Sequence, residues 1–253
     1  MHGYVSFNNK LLPAAEAEMS PISSAAMFGR GIFTTIAVRD WVPTLWDRHW
    51  ARLQDNAGRV SLDISSFTED AILLAVNELL KLNNAATCIA RLTFFDERAR
   101  NPWAFGTGRK TSLFITTKDA RPAADIRLTV SPFLLNSHSP LSGVKSCNYL
   151  ENIMALEEAR DRGFDEAVRL NERGDVAGAC MANIFWKKDG RLFTPSLASG
   201  CLPGTTRGHL IDSEGAVDVD AGIEALESAD EIYLTSAGLG KAKVAEFEGR
   251  VFF

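Results

Sequence analysis

The sequence predicts an α+β chain, a mixed α/β protein in the broad sense, divided into two domains, and three observations carry that expectation. Strand-like and helix-like segments follow one another without the regular βαβ alternation of a doubly wound sheet. The 253 residues fit two modest domains of roughly 100–150 residues each, or one large unit. Near the middle, Lys118-Asp-Ala-Arg-Pro-Ala-Ala124 has the composition of a linker. The expected division is an N-terminal α+β domain over 1–118, a linker over 119–124 and a C-terminal domain over 125–253.

The elements justify this in order. Tyr4-Val-Ser-Phe-Asn-Asn-Lys-Leu-Leu-Pro13 reads as a strand, an Asn-Asn turn and a returning strand. Gly31-Ile-Phe-Thr-Thr-Ile-Ala-Val-Arg39 is rich in β-branched residues, and Asp40-Trp41 turns the chain. Residues 45–59 read as a helix. Residues 68–81 form a better marked one, with apolar residues at helical spacing and acidic residues in the first turn. Residues 88–95 and 111–117 are expected strands, joined by a polar loop over 96–110. Past the linker, 126–133 reads as a strand and 149–162 as a helix that stops at Gly163. Residues 167–170, 182–187 and 231–234 read as further strands, in sheets that are mostly antiparallel.

Composition narrows the function. Apolar residues make up 46% and charged residues 23%, which suits a soluble chain with a proper core. The net charge of −5 comes from interspersed charges, so neither nucleic acid nor an anionic membrane is an expected partner. No apolar run approaches the roughly 20 residues of a membrane span. Residues 1–10 have no basic stretch leading into an apolar run, so no secretory signal is expected. Cys88, Cys147, Cys180 and Cys201 are scattered, without metal-ligand spacing. They read as free thiols in a reducing cytoplasm, and no metal is expected.

Four segments carry chemistry. In Leu141-Ser-Gly-Val-Lys-Ser-Cys-Asn-Tyr-Leu-Glu-Asn152, Lys145 precedes a helix among mostly uncharged neighbours. Burial disfavours an ammonium ion, so such an amine loses its proton readily, as a nucleophile and proton shuttle must. Tyr149, four residues on, is expected on the same helical face. Taken alone, Lys145 is one more lysine before a helix, and most lysines are solvated. In Ser199-Gly-Cys-Leu-Pro-Gly-Thr-Thr-Arg-Gly-His-Leu-Ile211, Thr205 and Thr206 open a helix after a Pro-Gly turn. Backbone N–H groups and hydroxyls there suit a phosphate, though an ordinary capped helix start has the same look. His49-Trp-Ala-Arg-Leu53 offers Arg52 as a permanent cation for that phosphate, or as a solvated helix residue. In Gly29-Arg-Gly-Ile-Phe-Thr-Thr35 the glycines permit close backbone approach or shape a turn.

Taken together, GRGIFTT, HWARL, VKSCNYL, the block from Asp165 through ANIFW and DGRLFTP, LPGTTR and ADEIYLTSAG resemble, in order and spacing, the class IV (fold type IV) aminotransferases. That family includes branched-chain and D-amino acid aminotransferases and 4-amino-4-deoxychorismate lyase. The resemblance covers essentially the whole chain. It implies a two-domain fold type IV enzyme with pyridoxal 5′-phosphate at the domain interface, an amino substrate of small size, and a homodimer. It assigns Lys145 as the catalytic Schiff-base lysine and Arg52, Thr205 and Thr206 as phosphate ligands. Tyr149, Gly178 and Ser236 fall at further cofactor positions.

Within the family the lyase branch is the nearer resemblance. Aminotransferases usually carry Phe-Glu-Thr where this chain has Phe33-Thr34-Thr35, and Arg91-Leu-Thr-Phe-Phe-Asp-Glu97 lacks the Arg-x-His carboxylate trap of the D-amino acid enzymes. Cys-Met-Ala-Asn-Ile-Phe-Trp186 and Ser236-Ala237 point the same way. The implied reaction converts 4-amino-4-deoxychorismate to 4-aminobenzoate and pyruvate in folate synthesis. Amino-acid transamination is the alternative. One departure stands out. Gly178 takes the place of a glutamate that keeps the cofactor's pyridine nitrogen protonated, and the neighbouring Glu166, Glu172 and Asp175 cannot be assigned that role from sequence. Attenuated activity, or cofactor binding without catalysis, is the third reading.

Overall fold

The computed structural model describes residues 1–98, 110–120 and 125–252. Most of the loop expected over 96–110 and residues 121–124 of the expected linker lie outside the described residues. The chain forms two compact units, one made of Met1–Ala120 with Val144–Asn148 and the other of Arg121–Gly143 with Tyr149–Phe253.

In the first unit, strands β1 (Tyr4–Phe7) and β2 (Lys10–Pro13) form the expected hairpin. Asn8 and Asn9 turn it at φ +49° and +63°, values that asparagine tolerates better than most residues. A short helix α1 (Ser24–Phe28) leads into β3 (Gly31–Arg39), which turns through Asp40 and Trp41 to β4 (Val42–Pro43). Helices α2 (Trp46–Arg59) and α3 (Glu69–Leu82) follow, then β5 (Cys88–Asp96) and β6 (Thr111–Lys118). Thr68 caps α3 by accepting the Ala71 N–H. The sheet runs β2-β1-β6-β5-β3-β4, with every pairing among the described residues antiparallel. Alternation along the strands puts Ile32, Ile36, Leu92, Phe94, Leu113 and Ile115 into one core with Leu53 of α2 and Ile72, Val76 and Leu79 of α3. Each such side chain contributes roughly 1.5–3 kcal/mol on leaving water.

The expected contiguous C-terminal domain is interrupted here. Val144–Asn148 belongs to the first unit, because Ile32 and Ser146 form an antiparallel bridge on the edge of β3 that is free beyond its short pairing with β4 at Val38 and Arg39. The Phe33 N–H donates to the Lys145 carbonyl at 2.9 Å and the Cys147 N–H to the Gly31 carbonyl at 2.8 Å. Glycine is needed at 31 for this approach: a Cβ there would lie 2.8 Å from the Phe94 carbonyl oxygen and 2.9 Å from Cys147 Sγ.

The second unit contains β7 (Ile126–Val130), α4 (Leu150–Asp161), β8 (Glu166–Leu170), β9 (Val176–Ala179), β10 (Asn183–Lys188) and β11 (Arg191–Pro195). It continues with α5 (Thr205–Glu214), β12 (Val217–Val219), α6 (Glu224–Glu227), β13 (Glu231–Ser236), β14 (Gly240–Phe247) and β15 (Arg250–Val251). The sheet order is β12-β11-β10-β13-β14-β7-β8-β9, with β15 on β14. Pairs β7–β8, β7–β14 and β11–β12 are parallel, the others antiparallel. Its core gathers Leu128, Val168, Ile184, Trp186, Ile232, Leu234, Val244 and Phe247.

Two expectations change. The strand expected over 126–133 stops at Val130. The Ser131 hydroxyl takes the Phe133 N–H, and the buried Arg169 guanidinium draws in the carbonyls of Phe133 and Leu134. Helix α4 begins at Leu150, while Lys145 lies in extended chain on the edge of β3. Lys145 and Tyr149 therefore share no helical face.

Where β9 meets β8 the register slips between Arg169 and Leu170, a bulge beside Gly178. Gly178 sits at φ +153°, which side-chain-bearing residues rarely adopt. A Cβ would find ordinary space, 3.4 Å from the Ala182 carbonyl oxygen, so the backbone rather than crowding selects glycine. Gly178→Ala should therefore lose about 1–3 kcal/mol of stability. Thermal unfolding should show it as a lower midpoint, and an unchanged midpoint would refute the strain argument.

Candidate active site

The first unit carries Lys145 and Arg52. Lys145 is fixed through its backbone: its carbonyl accepts from Phe33, and its N–H donates to the Oδ1 of buried Asn56 at 2.8 Å. Asn56 is one of a stripe on α2, with His49 seven and Arg52 four residues before it, the spacing of one helix face. Arg52 Nη2 donates to Thr34 Oγ1 at 2.8 Å, and His49 Nδ1 lies 2.6 Å from that oxygen. Thr34 and His49 are 0% and 1% exposed, so water does not compete for these bonds.

Phe33 faces the other side of β3, as alternation requires. Its ring is shared by two cations, the Lys145 ammonium nitrogen 4.5 Å and the Arg91 guanidinium carbon 3.6 Å from the centroid. Arg91 lies directly across from Thr35 on β5, and its Nε donates to Thr93 Oγ1 at 3.3 Å. Burial first, then the positive charges of Arg52 and Arg91, lower the Lys145 amine to about 7. At neutral pH a large share of it is a free base, the form that attacks a carbonyl or takes a proton. Burial, then Arg52 and Lys145, push His49 down to about 3, so its imidazole is uncharged.

The second unit carries the other expected residues. Helix α5 starts at Thr205, with Gly204 as an N-cap that supplies no side-chain hydrogen bond. Its first-turn N–H groups lie beyond the helix's own carbonyls, which suits an anion. Thr205 is buried and Thr206 half-buried. Asn183 supports the turn before them, its amide donating to the Leu202 carbonyl at 2.8 Å. Arg207 turns away, donating to the Pro195 carbonyl at 2.8 Å and lying 3.6 Å from Asp218. Thr235, directly across from Asn183 and hence on the same sheet face, buries a hydroxyl oxygen with no hydrogen-bond partner among the described residues. Such an orphan is consistent with a ligand that supplies its partner. Ser236 accepts the Leu239 N–H in the β13–β14 turn, and Tyr149 is the N-cap of α4 without a side-chain cap bond.

No carboxylate stands at position 178. The carboxylate of Glu166 is held by the N–H groups of Ala167, Cys180 and Met181 at 3.0–3.1 Å. Burial still raises its pKa above the ordinary glutamate value. Asp175 is taken by Asn171 and Arg173, and Glu172 by Ser137 and Arg173. The donors present thus suit a phosphate and a carbonyl carbon, while position 178 offers no anion to a ring nitrogen.

Sequence alone points to Lys145, Arg52, Tyr149, Gly178, Thr205, Thr206 and Ser236, and assigns no side-chain contact to Thr34, His49, Asn56 or Arg91. Thr34, His49 and Asn56 were legible as polar residues on otherwise apolar faces of a strand and a helix. Arg91 carried no such signal, because a lone cation on a strand has no period. Lys145 should be acylated with a half-maximal rate near pH 7 in the cofactor-free chain, measured by competitive labelling and peptide mapping. A midpoint near that of ordinary lysines would remove the free base from the argument.

A profile of the family described as amino-transferase class IV matches residues 31–247. The "Putative branched-chain-amino-acid aminotransferase" of Methanocaldococcus jannaschii is 30% identical, over 96% of this chain and 88% of its own length. The aminodeoxychorismate lyase of Bacillus subtilis is 26% identical, over 92% and 82%. Among solved structures, the branched-chain aminotransferase of Thermoproteus uzoniensis, with norvaline, superposes with a TM-score of 0.91 at 26% identity, covering 100% of this chain and 90% of that one. With the profile spanning most of its length, the chain belongs to the class IV aminotransferases, a family of pyridoxal-phosphate enzymes of fold type IV.

Proposed function

We propose that the protein is a 4-amino-4-deoxychorismate lyase, forming 4-aminobenzoate and pyruvate for folate synthesis. The carrying observation is Thr34. A glutamate in its place, as the family's aminotransferases usually have, would meet Arg52 as an opposite charge. The threonine hydroxyl gives Arg52 a neutral acceptor instead and leaves its charge for an anionic ligand. Arg91, beside Lys145 across the Phe33 ring, adds a cation suited to the carboxylates of such a substrate. The Bacillus subtilis lyase supports this reading. The 30% identity to the Methanocaldococcus protein favours the alternative, amino-acid transamination.

In this proposal Arg52, Thr205 and Thr206 would hold the cofactor phosphate, and Tyr149 and Ser236 would supply further cofactor contacts. Pyridoxal phosphate supplies an aldehyde and a ring that accepts the electron pair left when a bond to the amine-bearing carbon breaks. Lys145 Nζ takes the proton from that carbon and returns one to the three-carbon enol as it departs. All atoms of the substrate pass into the two products, so no water, oxidant or keto acid is consumed. Gly178 would offer no carboxylate to a bound ring nitrogen, and proton removal would then be slower than with one.

Two measurements check this. Borohydride reduction and peptide mapping should place the pyridoxyl group on Lys145, and Arg52→Ala should weaken cofactor retention roughly tenfold or more, since charge-assisted hydrogen bonds contribute about 1.5–3 kcal/mol. Label on another lysine, or an unchanged dissociation constant, would overturn the respective assignment. The purified protein should also release 4-aminobenzoate and pyruvate in equal amounts without an added keto acid. Turnover of branched-chain amino acids that requires a keto acid, with no 4-aminobenzoate formed, would replace the lyase by the transaminase.

A further inference from the structure

We propose that His49 is a positioning residue, which fixes the Thr34 hydroxyl and, through it, the Arg52 guanidinium in the orientation that receives an anion. This rests on the reading of Arg52 as the phosphate ligand.

A guanidinium has N–H donors and no acceptor, so at 2.8 Å Thr34 Oγ1 accepts from Arg52. The hydroxyl keeps one hydrogen and one further lone pair. Its next neighbour is His49 Nδ1 at 2.6 Å. With the imidazole proton on Nε2, the bonds run in one direction, from Arg52 N–H to Thr34 oxygen and from Thr34 O–H to His49 Nδ1. A protonated Nδ1 would instead aim a second donor at the same oxygen and leave the threonine hydrogen to find another acceptor. The charged neighbours oppose an imidazolium as well: Arg52 on the same helix and Lys145 from the segment on the edge of β3 both disfavour it, with burial the largest cause. Three residues separate His49 from Arg52, so α2 presents both to the same strand position. Both Thr34 and His49 are almost wholly enclosed, which leaves the pair no water to substitute for one another.

Arg52 and Arg91 are the two cations that lower the Lys145 amine. Loss of the His49–Thr34 support should therefore show in two places, anion binding at Arg52 and the proton affinity of the Lys145 nitrogen. A role in packing alone predicts neither.

The experiment uses the holoenzyme, with pyridoxal phosphate as the probe. His49→Leu should raise its dissociation constant roughly tenfold by equilibrium dialysis and shift upward the pH midpoint of the bound cofactor's absorbance change. His49→Asn, whose amide oxygen reaches about as far as Nδ1, should recover most of both. Thr34→Val should repeat both effects at nearly constant volume, and Thr34→Ser should show neither. Should His49→Leu fail to fold, the Thr34 pair decides. Wild-type values in folded His49→Leu or Thr34→Val overturn the inference. So does weakened binding without a shifted midpoint, or a loss that His49→Asn does not repair, because either assigns His49 to packing. Arg52→Ala separates this from the underlying reading. If it leaves the dissociation constant unchanged, the phosphate assignment itself fails; if it alone weakens binding, only the role of His49 fails.

Discussion

Positive charge held close to an amine is the constraint around which the first unit is arranged. Arg52 and Arg91 both act on Lys145, and two guanidinium groups near an ammonium would drift apart unless held. Thr34 and His49 hold one, the face of Phe33 and the hydroxyl of Thr93 the other. Each support comes from β3 or an element packed on it. Backbone pairing along the free edge of β3 sets the height of Lys145 itself. A single nine-residue strand thus fixes all three charges, one through each face and one through its edge.

The second unit solves a different problem, that of presenting backbone dipoles. Its anion-suited feature is the start of α5, and Arg207, in the first turn, is committed to the Pro195 carbonyl and Asp218 instead. Glu166 likewise stabilises the turn after β9 through three N–H groups, so its carboxylate acts as a structural acceptor. Charge in this unit holds loops, and the start of α5 presents N–H groups and hydroxyls.

Much of this was legible in the residues. The Asn8-Asn9 turn, Thr68 as a cap and Gly163 as a stop are local signals, and the structure places each where its chemistry puts it. Lys145 and Thr205-Thr206 could be found because their neighbours form recognisable motifs. What escaped depended on long-range pairing. Nothing in Val144–Asn148 announces an edge strand, since its partner lies more than a hundred residues earlier, and the helix pattern just after it suggested that Tyr149 shares a helical face with Lys145. The end of β7 was missed for the same reason: Arg169, far along the chain, bends residues 131–134. Gly178 looked like a simple loss of a carboxylate, yet its φ of +153° is one that side-chain-bearing residues rarely adopt.

The excursion of Val144–Asn148 into the first unit bears on how the chain is made. Synthesis from the N-terminus delivers β1 to β6 and their helices first, so most of that unit's core is present before its last edge segment emerges. Placing Val144–Asn148 is then a late step, and the entropic cost of bringing it back is offset by its edge pairing and by the Asn56 bond. Until it is placed, the groups that hold Arg52 can form without the amine whose proton affinity they tune. The same routing means that neither unit is a contiguous stretch of sequence. A fragment ending at residue 120 would carry both guanidinium groups without the lysine on which they act.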